Sequence, residues 1–125
     1  NVYNGKAVCC EICPTGWRIP EGEDWAQLQD FLGPRHATKM KTYQGWENSV
    51  VKVSNISGFS AQPTGYIEWT GIYEGEGSVT YFRVPTKSEP PFSHNFFLLG
   101  ICLGEEIFAS AENPGGLYTV RCVKD

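Results

Sequence analysis

Histidine is scarce in this chain, with only His36 and His94 among its 125 residues. A nucleophilic site needs a base within reach of the nucleophile, and neither histidine lies in a recognisable elbow or partner motif. Both fall in polar segments and read as solvated, so catalysis is not expected. Long apolar runs are missing as well: no stretch approaches the roughly 18 residues of a membrane-spanning helix, and the opening NVYNGKAV has no hydrophobic leader region. The segment therefore reads as a soluble mature protein or an excised domain. Positive charge is not in excess, since ten Lys and Arg stand against fourteen Asp and Glu for a net charge of -4. The cations are scattered, which leaves no electrostatic footprint for nucleic acid or an anionic membrane. Internal repeats and low-complexity tracts are also absent, so a single domain over residues 1–125 is expected.

What the chain does have is one compact unit, ICPTGWRIPEGEDWAQLQDFL, from Ile12 to Leu32. It joins a cysteine, a turn at Pro14 to Gly16, a short apolar strand at Trp17 to Ile19, and an amphipathic helix. Glu21, Glu23 and Asp24 load the first turn with the negative charge that a helix dipole favours. Trp25, Leu28, Phe31 and Leu32 are assigned to one apolar face, and Gly33 with Pro34 ends the helix. Trp17, Ile19, Trp25 and Leu28 are expected in the core.

Five cysteines, Cys9, Cys10, Cys13, Cys102 and Cys122, lie toward the two ends of the chain. A chain of this length buries about two-thirds of its unfolded surface and needs no staples. A zinc site would want a second close pair, which Cys102 and Cys122 do not make, so disulfides and an oxidising compartment are the favoured reading.

Along the rest of the chain, a short strand is expected around Ala7 and Val8. Residues 35–46 are polar with isolated anchors at Met40, Tyr43 and Trp46, and Val50 to Val53 is a brief apolar run. NISGFSAQPTG is turn chemistry around a buried Phe59. Strands are expected at Tyr66 to Trp69, at Ile72 and Tyr73, at Ser78 to Val84 and at Phe96 to Leu103. Glu106 to Ala109 should pair with the strand before Gly104, and Leu117 to Val123 should form the last strand. A Pro-rich loop, TKSEPPFSHN, separates two of them. One helix followed by several short strands makes an α+β domain.

Four blocks, CPTGWRIP with Trp25 and the helix, TKMKTYQGW, SGFSAQPTGY and VRCVKD, resemble in order and spacing the Fibrobacter succinogenes major paralogous domain of bacterial surface and secreted proteins. YFRVPT at Tyr81 to Thr86 departs from that family's aromatic strand, and Cys9, Cys10 and Cys102 are extra to its pattern. The resemblance implies a C-type lectin-like fold, similar to sulfatase-modifying-factor domains: one N-terminal helix on a twisted antiparallel sheet, first and last strands paired, and long loops on one side. It also implies a Cys13–Cys122 disulfide, with Cys9 and Cys10 competing for Cys102. A sulfatase-modifying activity is not expected, because the reactive cysteine pair has no match and fold alone does not carry function.

For binding, a calcium-dependent lectin site needs a set of oxygen ligands. Glu112, Asn113 and Pro114 only scramble the usual sugar-binding loop, and Glu74 with Glu76 or Glu105 with Glu106 read as solvated pairs, so no metal ligand is assigned. Aromatic faces with planar polar groups grip sugars and proteins without metal. Trp69, Tyr73, Phe92, His94 and Asn95 are the candidate ligand-binding residues, on loops drawn from 70–95 and 104–116. For Trp69 and Tyr73 the competing role is cross-strand packing. The expected function is a non-catalytic binding or adhesion module of an exported bacterial protein, at the cell surface or outside it. Its ligand would be a glycan or a surface protein, the domain a monomer or one module of a longer chain. The rival is a structural spacer without a ligand.

Overall fold

The computed structural model describes residues 2–3, 12–47, 53–85, 96–111 and 116–125. In chain order the elements are β1 (Val2–Tyr3), β2 (Trp17–Arg18), α1 (Gly22–Leu32), a 3₁₀ turn (His36–Lys39), β3 (Tyr66–Ile67), β4 (Tyr73–Glu74), β5 (Thr80–Pro85), β6 (Phe96–Ile101), β7 (Phe108–Ala111), β8 (Tyr118–Thr119) and β9 (Val123–Lys124). This is the expected α+β composition. The main sheet has the order β1-β8-β5-β6-β7, and two small ribbons pair β2 with β9 and β3 with β4. First and last strands therefore do pair, twice over: Val2 faces Thr119, and Trp17 faces Lys124. The sheet is mixed, not antiparallel throughout, because β5 and β8 run parallel where Phe82 meets Thr119.

The helix starts where charge and geometry place it. The backbone N–H of Glu21 donates to Asp24 Oδ2 at 2.8 Å, which satisfies one of the donors left over at a helix start. Gly33, at φ 72°, takes the conformation that ends it and returns its N–H to the Gln29 carbonyl at 2.9 Å. Trp25 and Leu32 are buried, but Phe31 is 87% exposed. At about 100° per residue Phe31 lies some 120° around the helix from Trp25, outside the buried stripe. Trp17, also expected in the core, is 46% exposed, on a two-stranded ribbon that among the described residues pairs β2 with β9 alone.

The core joins Trp25, Leu32, Ala37, Met40 and Ala61 to Phe82, Val84, Leu99 and Ile101 from the sheet. Phe59 closes it as predicted, with its ring centroid 5.9 Å from Trp25 and 5.8 Å from Phe82. The β6–β7 hairpin also forms as expected, with Gly100 opposite Phe108. A bare glycine is required there, because a Cβ would sit 2.3 Å from the Phe108 ring.

The expected last strand divides. Tyr118 and Thr119 stay in the main sheet, whereas Val123 and Lys124 leave it to join β2. Cys122, between them, is bonded to Cys13, with the two Cα atoms 5.9 Å apart. The bridge holds the chain beside β2, so one segment serves both the main sheet and the β2–β9 ribbon. Cys102 has no disulfide partner among the described residues. Cys9 and Cys10, its proposed partners, lie outside them, as do the strand expected at Ala7 and Val8 and residues 50–52 of the brief apolar run.

His36 is half-buried and not solvated: its Nε2 accepts the Ile107 N–H at 2.9 Å, and the neighbouring Ala37 N–H reaches the Glu105 carbonyl at 3.0 Å. The 3₁₀ turn is thereby fastened to the β6–β7 connection. Lys41 is buried too, donating from Nζ to the Gly104 carbonyl at 2.7 Å and lying 5.1 Å over the Trp46 ring. Burial pushes its pKa down from the ordinary lysine value.

Candidate functional site

Residues 41–47 and 54–64 are folded against each other by their backbones. Ala61 accepts from Thr42 N–H at 3.0 Å and from the Trp46 indole at 3.2 Å, while its own N–H reaches the Met40 carbonyl at 2.7 Å. Asn55 and Ser60 brace the second loop reciprocally: Asn55 Nδ2 donates to Ser60 Oγ at 2.9 Å, and Ser60 N–H returns to Asn55 Oδ1 at 3.0 Å. Both sit at positive φ, a conformation that such side-chain to backbone bonding helps to hold.

Between the loops opens a cavity of about 460 Å³ lined by Thr42, Tyr43, Gln44, Gly45, Asn55, Gln62 and Pro63. Tyr43, expected as a core anchor, is instead 75% exposed. Its hydroxyl donates to the Ser54 carbonyl at 2.5 Å, which fixes the ring at the cavity wall. The side-chain amides of Gln44 and Gln62 have no hydrogen-bond partner among the described residues and are exposed to solvent. A fixed ring beside open amides can stack on an apolar face and hydrogen-bond a ring of hydroxyls.

The neighbouring β3–β4 hairpin carries Trp69, Ile72 and Tyr73, all three exposed. Glu68 N–H donates to the Ile72 carbonyl at 2.9 Å and Gly71 N–H to the Glu68 carbonyl at 2.8 Å, so the turn lifts Trp69 off the body. At 71% exposure Trp69 is not cross-strand packing. Tyr73 Oη donates to the Thr64 carbonyl, which brings this hairpin to the residue after Pro63 in the cavity wall. Trp69 and Tyr73 thus lie on one hairpin joined to the cavity. Phe92, His94 and Asn95 lie outside the described residues.

Two smaller cavities adjoin. One, of about 240 Å³, is walled by Gln62 and Arg121 with a knot of hydroxyls between: Thr64 Oγ1 is 3.0 Å from Thr80 Oγ1 and 3.3 Å from Thr119 Oγ1. The other, of about 300 Å³, is mostly apolar and lies among Trp25, Leu28, Phe59, Arg121 and Asp24. The Arg121 guanidinium stacks 4.0 Å over the Phe59 ring, and burial of that face pushes its pKa down from the ordinary arginine value. Asp24 turns away from it, holding Arg18 by bonds of 2.6 and 2.9 Å. That hydrogen-bonded guanidinium lowers the Asp24 pKa to about 2.

Among the described residues no three His, Cys, Asp or Glu side chains gather where they could hold a metal ion. Glu74, Glu76, Glu105 and Glu106 are all exposed. No described helix is long and apolar enough to cross a membrane.

The sequence did not point to Tyr43, Gln44 or Gln62 as binding residues. The signal was there in the setting of Tyr43 between Thr42 and the Gln44–Gly45 pair, a polar turn in which an aromatic has little to pack against.

Taken together, a disulfide joining the chain near its two ends, one α-helix among the described residues over small sheets, and loops that present rings and amides define a class of disulfide-closed α+β domains. The bridge fits an oxidising, extracytoplasmic setting. Within that class, the chain belongs to the Fibrobacter succinogenes major domain family, whose family model matches residues 1–124. No curated protein and no solved structure matches it.

Proposed function

We propose that this domain is a non-catalytic carbohydrate-binding module of an exported bacterial protein, gripping its ligand on the surface formed by Tyr43, Gln44, Gln62, Trp69 and Tyr73. The observation that carries the reading is Tyr43, a ring fixed through its hydroxyl and 75% exposed beside open amides. Exposed rings cost solvation unless something covers them, and a sugar offers both an apolar face for the ring and hydroxyls for the amides. His36 Nε2 accepts the Ile107 N–H and serves the fold in that contact.

The scaffold is read as C-type lectin-like. In support stand the Cys13–Cys122 bridge, the pairing of β2 with β9 and the helix between them in sequence. The ligand surface differs from the one expected, since it draws on 42–45 and 55–63 as well as on the hairpin at 66–74.

Glycan-array binding with and without chelator tests this. The module should retain glycans in the presence of chelator and lose them in Tyr43→Ala, with Trp69→Ala weakening them. Chelator-sensitive binding would favour calcium instead. Silence against glycans and matrix proteins alike would favour the spacer.

A further inference from the structure

We propose that the three cavities form one continuous groove that takes an acidic oligosaccharide, seating a sugar carboxylate on Arg121. This rests on the carbohydrate reading above and names its ligand class.

Continuity comes from shared walls. Gln62 lines both the Tyr43 cavity and the hydroxyl-walled one, and Arg121 lines both the latter and the apolar one. A ligand that starts on the Tyr43 ring and follows the surface meets amides, then threonine hydroxyls, then a guanidinium. That order of groups is complementary to a chain of hydroxyl-bearing rings with an acid at one end.

The charge argument is local. The chain carries a net charge of -4, so it has no general attraction for anions. Arg121 nevertheless has no ion-pair partner among the described residues. Asp24, the carboxylate that shares its cavity, is engaged by Arg18 instead. With its Cζ 4.0 Å over the Phe59 ring, the guanidinium has N–H groups left for a second partner, and a carboxylate matches that fork with two parallel hydrogen bonds. The residue as a whole is exposed and within reach of a ligand, while the covered ring-side face leaves the cation short of water, a deficit that an anionic ligand makes good.

The test is calorimetric titration of the whole domain with uronate oligosaccharides (galacturonate, glucuronate-containing and alginate types), each paired with its methyl ester. Esterification removes the charge and keeps the sugar. The acid form of at least one pair should bind about tenfold more tightly than its ester, the ordinary scale of one charged hydrogen-bonded contact. Arg121→Gln should bring that ratio close to one, and Arg121→Lys should keep part of it. Thermal unfolding of both variants checks that they remain folded.

Equal binding of acid and ester, or a ratio that survives in folded Arg121→Gln, overturns the acidic-ligand inference while leaving the carbohydrate reading standing. Binding of an oligoglutamate peptide as tight as that of the best uronate overturns the sugar assignment of the groove. No binding to any glycan, acidic or neutral, overturns both.

Discussion

Arg18 and Asp24 are joined by two parallel hydrogen bonds of 2.6 and 2.9 Å, and Arg18 also lies 3.6 Å from Asp125. Strand β2, the helix start and the last residue meet at one guanidinium. Asp24 has its folded-state pKa lowered from 3.8 to about 2, so its contribution to stability is full above about pH 4 and lost as pH falls toward 2. Thermal midpoints measured between pH 5 and 2 should fall more steeply in the wild type than in Asp24→Asn, the two curves converging at the acid end. The pair is partly solvent-exposed, so the separation at neutral pH should be modest.

His36 predicts a larger effect from a residue that never enters the ligand surface. Removing its ring leaves the Ile107 N–H without its acceptor, and because this contact is part-buried the loss should fall toward the lower end of the about 1 to 3 kcal/mol that an orphaned buried donor costs. His36→Ala should lower the unfolding free energy by about that amount in urea titration. His36→Gln, whose side-chain oxygen can accept, should recover part of it.

These two contacts also mark how far the sequence could be read. The helix, its acidic start and its glycine stop were legible because they are local: each depends on residues within a few positions. The Trp25 anchor and the Phe59 plug were legible for a similar reason, one from helical spacing and the other from an aromatic isolated in turn residues. The disulfide came from likeness to a family and not from spacing. What could not be read is set by partners distant in sequence. His36 meets Ile107 71 residues on, and Lys41 meets Gly104 63 residues on. Tyr43 and Met40 sit in the same polar stretch, yet Met40 is buried in the core with Ala37 and Ala61 while Tyr43 faces the open cavity, a difference set by residues further along the chain. Phe31 is different: the helical angle alone places it outside the apolar stripe, since a residue six positions on does not share a face with the first.

The hairpin that carries Trp69 and Tyr73 should depend on a residue outside it. Gly65 has φ 70°, and a Cβ there would sit 2.3 Å from the Glu74 carbonyl oxygen. Gly65→Ala therefore pushes β4 away from the loop and should break the Tyr73 contact with Thr64. Lower fluorescence anisotropy of Trp69, read in a background with the other tryptophans replaced by phenylalanine, would register the detachment as freer local motion. Unchanged anisotropy together with unchanged stability would count against the packing described.

Trp25 offers a graded test of the core. Its Nε1 is buried with no hydrogen-bond partner among the described residues. Trp25→Phe removes that unsatisfied donor while keeping most of the contact with Phe59 and Phe82, so it should cost far less than Trp25→Ala. The alanine variant should lose about 3 to 5 kcal/mol, as large-to-small changes at buried aromatics do. Chemical unfolding of the two variants in parallel gives the comparison.

Reduction of the Cys13–Cys122 bond should lower stability by at most about 4 to 5 kcal/mol, the loop-entropy ceiling for a closure of this span. Its mechanical consequence is of another kind. A pull applied between the chain just before Cys13 and the chain just after Cys122 passes through one covalent link, and the chain between those cysteines, which are 109 positions apart, carries no load. Strand β1 lies upstream of that link and among the described residues pairs with β8, so under tension it should peel away before the helix, the core and the loops around Tyr43 change shape. Tension on the chain would thus be relieved at the strand outside the bridge and not at the loops within it.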